Sequence, residues 1–369
     1  MSQYRFDPIR RIGVLYAPER DDRPIRIGPA AGSPGPATST ERVDRSGNDP
    51  FAPGFEGETP PEVLAIRPPD SLPDDSAWLL RVVPNRYPFV MRWNRADQVG
   101  RGSHPQNGEV AGFHEVVIET RESAGDLADL DEATVAEVVR AWRARLVVYA
   151  QTPGIEWACL FRNSGPLSGA SLPHPHSQLV GLPYVPPRVA SVRSAMAEQL
   201  RATGRCVVCE EISEAQAWRV DESERFVAFC PRVSRFPYEQ RIVVRSHEAG
   251  FLTTAEDDAA VTELARLLRR RLQALKRVLP RLDYNLVLDA GPLRQREQPQ
   301  AERSQGAAAC GAPAVSPEQL LPGVSTPADH WCLEILPRTG GIAGFELVSG
   351  EWVNAVLPET AAARLRSGR

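Results

Sequence analysis

The sequence lacks any long apolar run. No stretch reaches the roughly 18 consecutive apolar residues that span a bilayer, and charged side chains interrupt each apolar segment. No membrane-spanning helix is expected. The opening residues, MSQYRFDPIRR, carry charge with no apolar core behind it, which is not the pattern of a secretory signal. Cysteine is scarce. Six in 369 residues are too few for a disulfide scaffold, so a reducing, cytoplasmic setting is expected. A large excess of charge of one sign is also missing: the formal net charge is -4. Without a broad basic field, no nucleic-acid partner is expected.

Proline, in contrast, is abundant, at 34 residues against 27 glycines. Residues 25–62, rich in Gly, Pro, Ser and Thr, read as loop. Residues 290–329 hold few large apolar side chains, and such a stretch buries too little surface to offset its ordering entropy. It reads as a disordered insertion. The rest shows one order of elements twice. In the first half, residues 81–90 and 114–120 have the character of strands. Leu130, Val135, Val138, Val139, Trp142, Leu146 and Tyr149 recur at helical spacing, and strands follow at 157–163 and 178–183. The second half repeats this with strands at 225–231 and 240–246, a helix marked by Leu264 to Leu279, and strands at 285–290 and 330–338. Residues 187–203 read as a bridging helix. The fold class is therefore α+β, a tandem duplication (1–185 and 186–369) sharing one mixed or antiparallel sheet with flanking helices.

Chemistry concentrates in FRNSGPLSGASLPHPHSQLVGLP, residues 161–183. His174, Pro175, His176, Ser177 and Gln178 spell H-P-H-x-Q directly after a loop of small residues. Neutral imidazole is a good nucleophile toward phosphorus near neutral pH. The intervening proline fixes where His176 aims. Gly165, Ser168, Gly169 and Ser171 let backbone N–H groups approach phosphate oxygens. Gln178 donates a hydrogen bond without adding an ionisable group. Taken alone, H-P-H also suits a surface turn or half of a metal site. The whole segment instead fits nucleotidyl transfer through an imidazole–phosphate intermediate. His104 and His114, in a polar loop and at a strand edge, are set aside.

This loop with its H-P-H-x-Q resembles, without gaps, the active-site segment of galactose-1-phosphate uridylyltransferases, the transferase branch of the histidine-triad superfamily. VLYAPERDDRP (14–24), VVPNRYP (82–88), VSRFPYE (233–239), HWCLEILPR (330–338) and AGFE (343–346) are similar to that family too. The resemblance implies that His176 is the nucleophile and Gln178 contacts the transferred phosphoryl group. It places Asn163, Gly169 and Ser171 along the phosphates with Arg20 and Arg23 near them, Asn85 near the nucleoside and Glu346 on the hexose. It also implies a homodimer. A glutamine where histidine-triad hydrolases carry a third histidine favours transfer over hydrolysis, because an amide supplies no proton to a leaving group.

The family's first-half zinc ligands fall here on Asp49, Ala52, Ser123 and His174, which do not make a tetrahedral thiolate–imidazole site. That site is expected to be lost, with His174 kept for packing or hydrogen bonding. In the second half, Cys206 and Cys209 (C-x-x-C), His247 and His330 stand in the same ligand order. They are expected to hold one structural zinc as Cys2His2. Cys332, in the position of a second nucleophile, is expected to be inert. The expected reaction is a ping-pong exchange between a nucleoside diphosphate sugar, UDP-hexose by default, and a sugar 1-phosphate through nucleotidyl-His176. The alternatives are a nucleotide-sugar phosphorylase using inorganic phosphate, or a nucleotide-binding protein without turnover.

Overall fold

The computed structural model describes residues 2–20, 49–93, 109–247, 250–290, 293 and 330–368. Most of the stretch expected as an insertion (291–292 and 294–329), residues 25–48 of the first loop-rich stretch and Arg23 lie outside the described residues.

The chain opens with a hairpin, β1 (Gln3–Asp7) and β2 (Ile12–Tyr16). The first half then supplies β3 (Leu64–Ile66), β4 (Leu80–Pro84), β5 (Met91–Arg92), β6 (Ala111–Ile118), helix α1 (Glu132–Gln151), β7 (Trp157–Ser164) and β8 (His176–Leu182). Two helices, α2 (Pro187–Thr203) and α3 (Val207–Glu214), lead to the second half. This half holds β9 (Arg219–Glu222), β10 (Phe226–Phe229), β11 (Gln240–Val244), the short α4 (Phe251–Thr254), α5 (Asp258–Val278), β12 (Tyr284–Asp289) and β13 (Cys332–Pro337). The chain ends with α6 (Gly344–Ser349), β14 (Trp352–Asn354) and α7 (Pro358–Ser367). β14 pairs in parallel with β2, tying the two ends of the chain together.

The large sheet runs β3-β4-β6-β8-β7-β12-β13-β11-β10-β9, with β5 added to β6. Read outward from the antiparallel β7–β12 contact, both halves give the same succession of strands. Helices α1 and α5 cover one face. Trp142, Leu146, Leu264, Leu268 and Leu272 are buried there, and each such side chain contributes about 2 kcal/mol by leaving water. Asp131 and Asp257 cap the two helices by accepting from the N–H groups of Thr134 and Ala259. Alternation along β8 sends Ser177, Leu179 and Gly181 toward α1, and His176, Gln178 and Val180 to the open face. A Cβ on Gly181 would stand 3.0 Å from the Tyr149 ring, so glycine allows this close seating of α1 on the sheet.

Two local expectations change. The strand expected over 81–90 stops at Pro84, because Asn85 turns the chain by accepting from the Tyr87 N–H at 2.8 Å and Pro88 has no N–H to pair. Cys206 and Cys209 do not lead straight into a strand. Cys206 is the N-cap of α3 and Cys209 lies in its first turn.

Candidate active site and metal centre

His176 opens β8 on the open face, opposite Ile118 of β6, and is only 6% exposed. Its Nδ1 stands 2.8 Å from the His174 carbonyl. A carbonyl only accepts, so Nδ1 carries the proton and Nε2 keeps its lone pair. Burial lowers the pKa of His176, and the nearby Arg162 and His174 act in the same direction, against the hydrogen bond to the His174 carbonyl. The ring is therefore neutral, and nucleophilic, at neutral pH. Because the protonated ring cannot attack, the acid limb of kcat/KM is expected below the ordinary imidazole value of about 6.5. An initial-rate pH profile checks this, and a limb at or above that value counts against it.

Gln178 follows on the same face. Its Oε1 lies 2.8 Å from His114 Nε2 and 3.5 Å from Asn85 Nδ2, while Asn85 Nδ2 is 3.0 Å from His114 Nε2. His114 is thus no strand-edge residue. It sits in mid-sheet between β4 and β8, its pKa lowered by burial, with the Phe89 ring 4.3 Å away. The signal was the alternation of His114, Val116 and Ile118 on one face, but only the strand register brings that face to Gln178.

The loop after β7 is held by the second half. Leu167 N–H donates to Asp283 at 2.8 Å, and Asn285 Nδ2 donates to Asn163 Oδ1 at 2.8 Å and to the Ser168 carbonyl at 2.9 Å. Gly165 adopts φ +83° with its Cα hydrogen against Asp283, where a Cβ would fall 2.3 Å from the carboxylate. Only glycine fits there. Gly169, also at positive φ, and Ser171 are exposed on this loop.

Beneath the site lies a buried ionic network absent from the sequence reading. Arg162 donates to Glu119 (2.9 Å), Asp126 (3.0 Å) and Tyr284 (3.0 Å), and Trp142 Nε1 donates to Ser177 Oγ at 2.8 Å. Arg162→Met leaves two carboxylates buried without their cation. It is expected to cost about 3–5 kcal/mol of stability, read as a lower urea midpoint; an unchanged midpoint would contradict this.

In the second half, Cys206, Cys209, His247 and His330 bring their ligand atoms within 4.8 Å of one another. Cys209 Sγ lies 3.5 Å from His247 Nδ1, and His330 Nδ1 lies 3.8 and 3.9 Å from the two sulfurs. The edge of a tetrahedron with zinc-like bond lengths is about 3.6 Å. His330 Nε2 donates to the Val244 carbonyl at 2.9 Å, which turns the Nδ1 lone pair toward the sulfurs. The hydrogen bond with Cys209 is the largest influence holding the Cys206 thiol well below its ordinary pKa despite burial. The donor set suits zinc. By contrast, burial pushes the Cys332 thiol up to about 12, so it carries no thiolate at neutral pH.

A family profile described as galactose-1-phosphate uridyl transferase, N-terminal domain, matches residues 82–186. An ADP-glucose phosphorylase of Arabidopsis thaliana is 31% identical over 372 aligned positions, covering 99% of this chain and 92% of that protein. The chain belongs to the galactose-1-phosphate uridylyltransferase family. Its relatives are nucleotidyltransferases and phosphorylases, and it is an enzyme of that kind. A galactose-1-phosphate uridylyltransferase of Thermotoga maritima is 29% identical over 51% of this chain and 61% of its own. Among solved structures, an Arabidopsis thaliana ADP-glucose phosphorylase with bound ADP-glucose superposes with a TM-score of 0.76 at 30% identity, over 99% of both chains.

Of the residues that the family resemblance points to, His176, Gln178, Asn85 and Asn163 stand together around the β6–β8–β7 face. Arg20 is exposed on the turn Pro18–Arg20 that follows β2. Glu346 caps its own helix, accepting from the Ala343 N–H at 3.1 Å. It lines a cavity with Arg10, Arg188, Val192 and Trp352 rather than with His176.

Proposed function

We propose that the protein is a nucleotide-sugar phosphorylase that works through a covalent nucleotidyl-His176. His176 Nε2 attacks the α-phosphorus of a nucleoside diphosphate sugar, and the bond to the bridging oxygen breaks, releasing sugar 1-phosphate. Inorganic phosphate then attacks the nucleotidyl-imidazole, and nucleoside diphosphate leaves with His176 restored. The carrying observation is the Nδ1–H bond of His176 to the His174 carbonyl, which fixes the tautomer and leaves Nε2 as the attacking atom. Gln178, Asn163, Gly169 and Ser171 bind the phosphates, with Arg20 and Arg23 near them, and Asn85 lies at the nucleoside. Cys206, Cys209, His247 and His330 hold one structural zinc.

Full-length similarity to an ADP-glucose phosphorylase supports phosphate as acceptor and an ADP-sugar as donor, in place of UDP-hexose. The match of residues 82–186 to the uridylyltransferase N-terminal domain favours a second reading, in which a sugar 1-phosphate is the acceptor. Incubation with ADP-glucose or UDP-glucose, plus either inorganic phosphate or galactose 1-phosphate, separates the two. Release of ADP that depends on phosphate supports the first. Exchange of sugars with no nucleoside diphosphate released overturns it.

A further inference from the structure

The first-half positions that would hold zinc by family resemblance are built into something else. His174 is 1% exposed, and both of its ring nitrogens are engaged: Nδ1 with Asp49 Oδ2 at 2.8 Å and Nε2 with the Thr120 carbonyl at 2.8 Å. The carbonyl is an acceptor only. Burial alone would push the Asp49 carboxyl up, but hydrogen bonds from Ser123, His174 and the Phe51 N–H outweigh it and hold the group below the usual range. Asp49 therefore accepts as a carboxylate. With an acceptor at each nitrogen, the ring carries both protons and has no lone pair to give a metal. Ala52 offers no donor atom, so these residues do not fit zinc.

The carbonyl of His174 is the acceptor that fixes the tautomer of His176. The Phe51 ring closes over both imidazoles, at 5.8 Å from His174 and 5.4 Å from His176, and Pro175 O accepts from the Glu119 N–H at 3.1 Å.

We propose that Asp49, Ser123 and His174 form a metal-free clamp, a buried carboxylate–imidazolium pair that positions His176 where the family's pattern would place zinc. Like zinc with two thiolates, the pair adds no net charge. It ties the segment around Asp49 and the end of β6 to the nucleophile's backbone. Asp49 and His174 act through His176 and are positioning residues. The kinetic part of this inference rests on the proposed role of His176.

Three readouts on the full-length protein test it. In the ¹⁵N spectrum both His174 ring nitrogens are expected to carry protons, and in Asp49→Asn one of them loses its proton. Zinc content is expected to be equal in wild type and Asp49→Asn. In single turnover with ADP-glucose, Asp49→Asn is expected to slow adduct formation about 10- to 100-fold with donor affinity within about two-fold, and Asp49→Glu to recover part of the rate. A His174 ring with one proton in wild type, zinc lost with Asp49→Asn, or an unchanged adduct rate overturns the clamp. If Asp49→Asn does not fold, Ser123→Ala, which removes one hydrogen bond to the carboxylate, is expected to slow the same step by a smaller factor. A wild type that forms no adduct refutes the role of His176, while the ¹⁵N spectrum and the zinc count still judge the clamp.

Discussion

His176→Ala is expected to lower turnover by about 10⁴-fold or more, the scale on which enzymes lose rate when a covalent nucleophile is deleted. The binding surface should survive. The loop is held by Asp283 and Asn285 rather than by His176, and Gln178 is joined to His114 and Asn85. Donor affinity measured by calorimetry should therefore fall by less than about ten-fold, a modest share of the binding energy. Loss of affinity in parallel with rate would instead make His176 a binding residue. Gln178→Ala provides the internal comparison: it removes the proposed donor to the phosphoryl group but not the proposed nucleophile, so an adduct is expected to form, more slowly.

If the proposed zinc is bound, Cys206→Ser is expected to remove it and to lower Tm by roughly 10 °C or more. Structural zinc contributes about 10 kcal/mol of folding free energy in small finger domains. A few kcal/mol shifts a chain of this size by several degrees. The effect should be large because the ligands join separate pieces: Cys206 and Cys209 at the start of α3, His247 after β11, and His330 just before β13. Metal analysis together with thermal unfolding reads the outcome. Two zinc ions per chain in wild type would contradict the reading of the first half as well as the clamp.

The α+β duplication was legible because periodicity and order repeat within each half, while strand edges shifted and short elements were added. The segment that carries the proposed nucleophile stands out because H-P-H-x-Q and its loop of small residues are contiguous within residues 161–183. The Cys2His2 set could be read only through that repeat, since His247 and His330 are far from the cysteines in sequence. What escaped depends on register across the sheet. His114 reaches Gln178 because β6 pairs with β8. Arg162 meets Asp126 and Tyr284 through loop closure and the β7–β12 pairing, and Asp283 reaches the loop after β7 from the opposite half. None of these partners is marked by spacing. The junction of β2 with β14 and the helix that starts after Cys206 escaped for the same reason, since each is a tertiary choice made by short, weakly patterned segments. The acceptor was not legible either, because inorganic phosphate and a sugar 1-phosphate present the same attacking group to His176.

The most direct test of the central claim is the intact mass of the protein after incubation with ADP-glucose and, in parallel, other nucleoside diphosphate sugars, quenched at alkaline pH where phosphoramidates persist. The account predicts a mass gain of one nucleoside monophosphate, largest with the adenine donor, absent in His176→Ala and discharged by added inorganic phosphate. Turnover of a donor without any such adduct would contradict it.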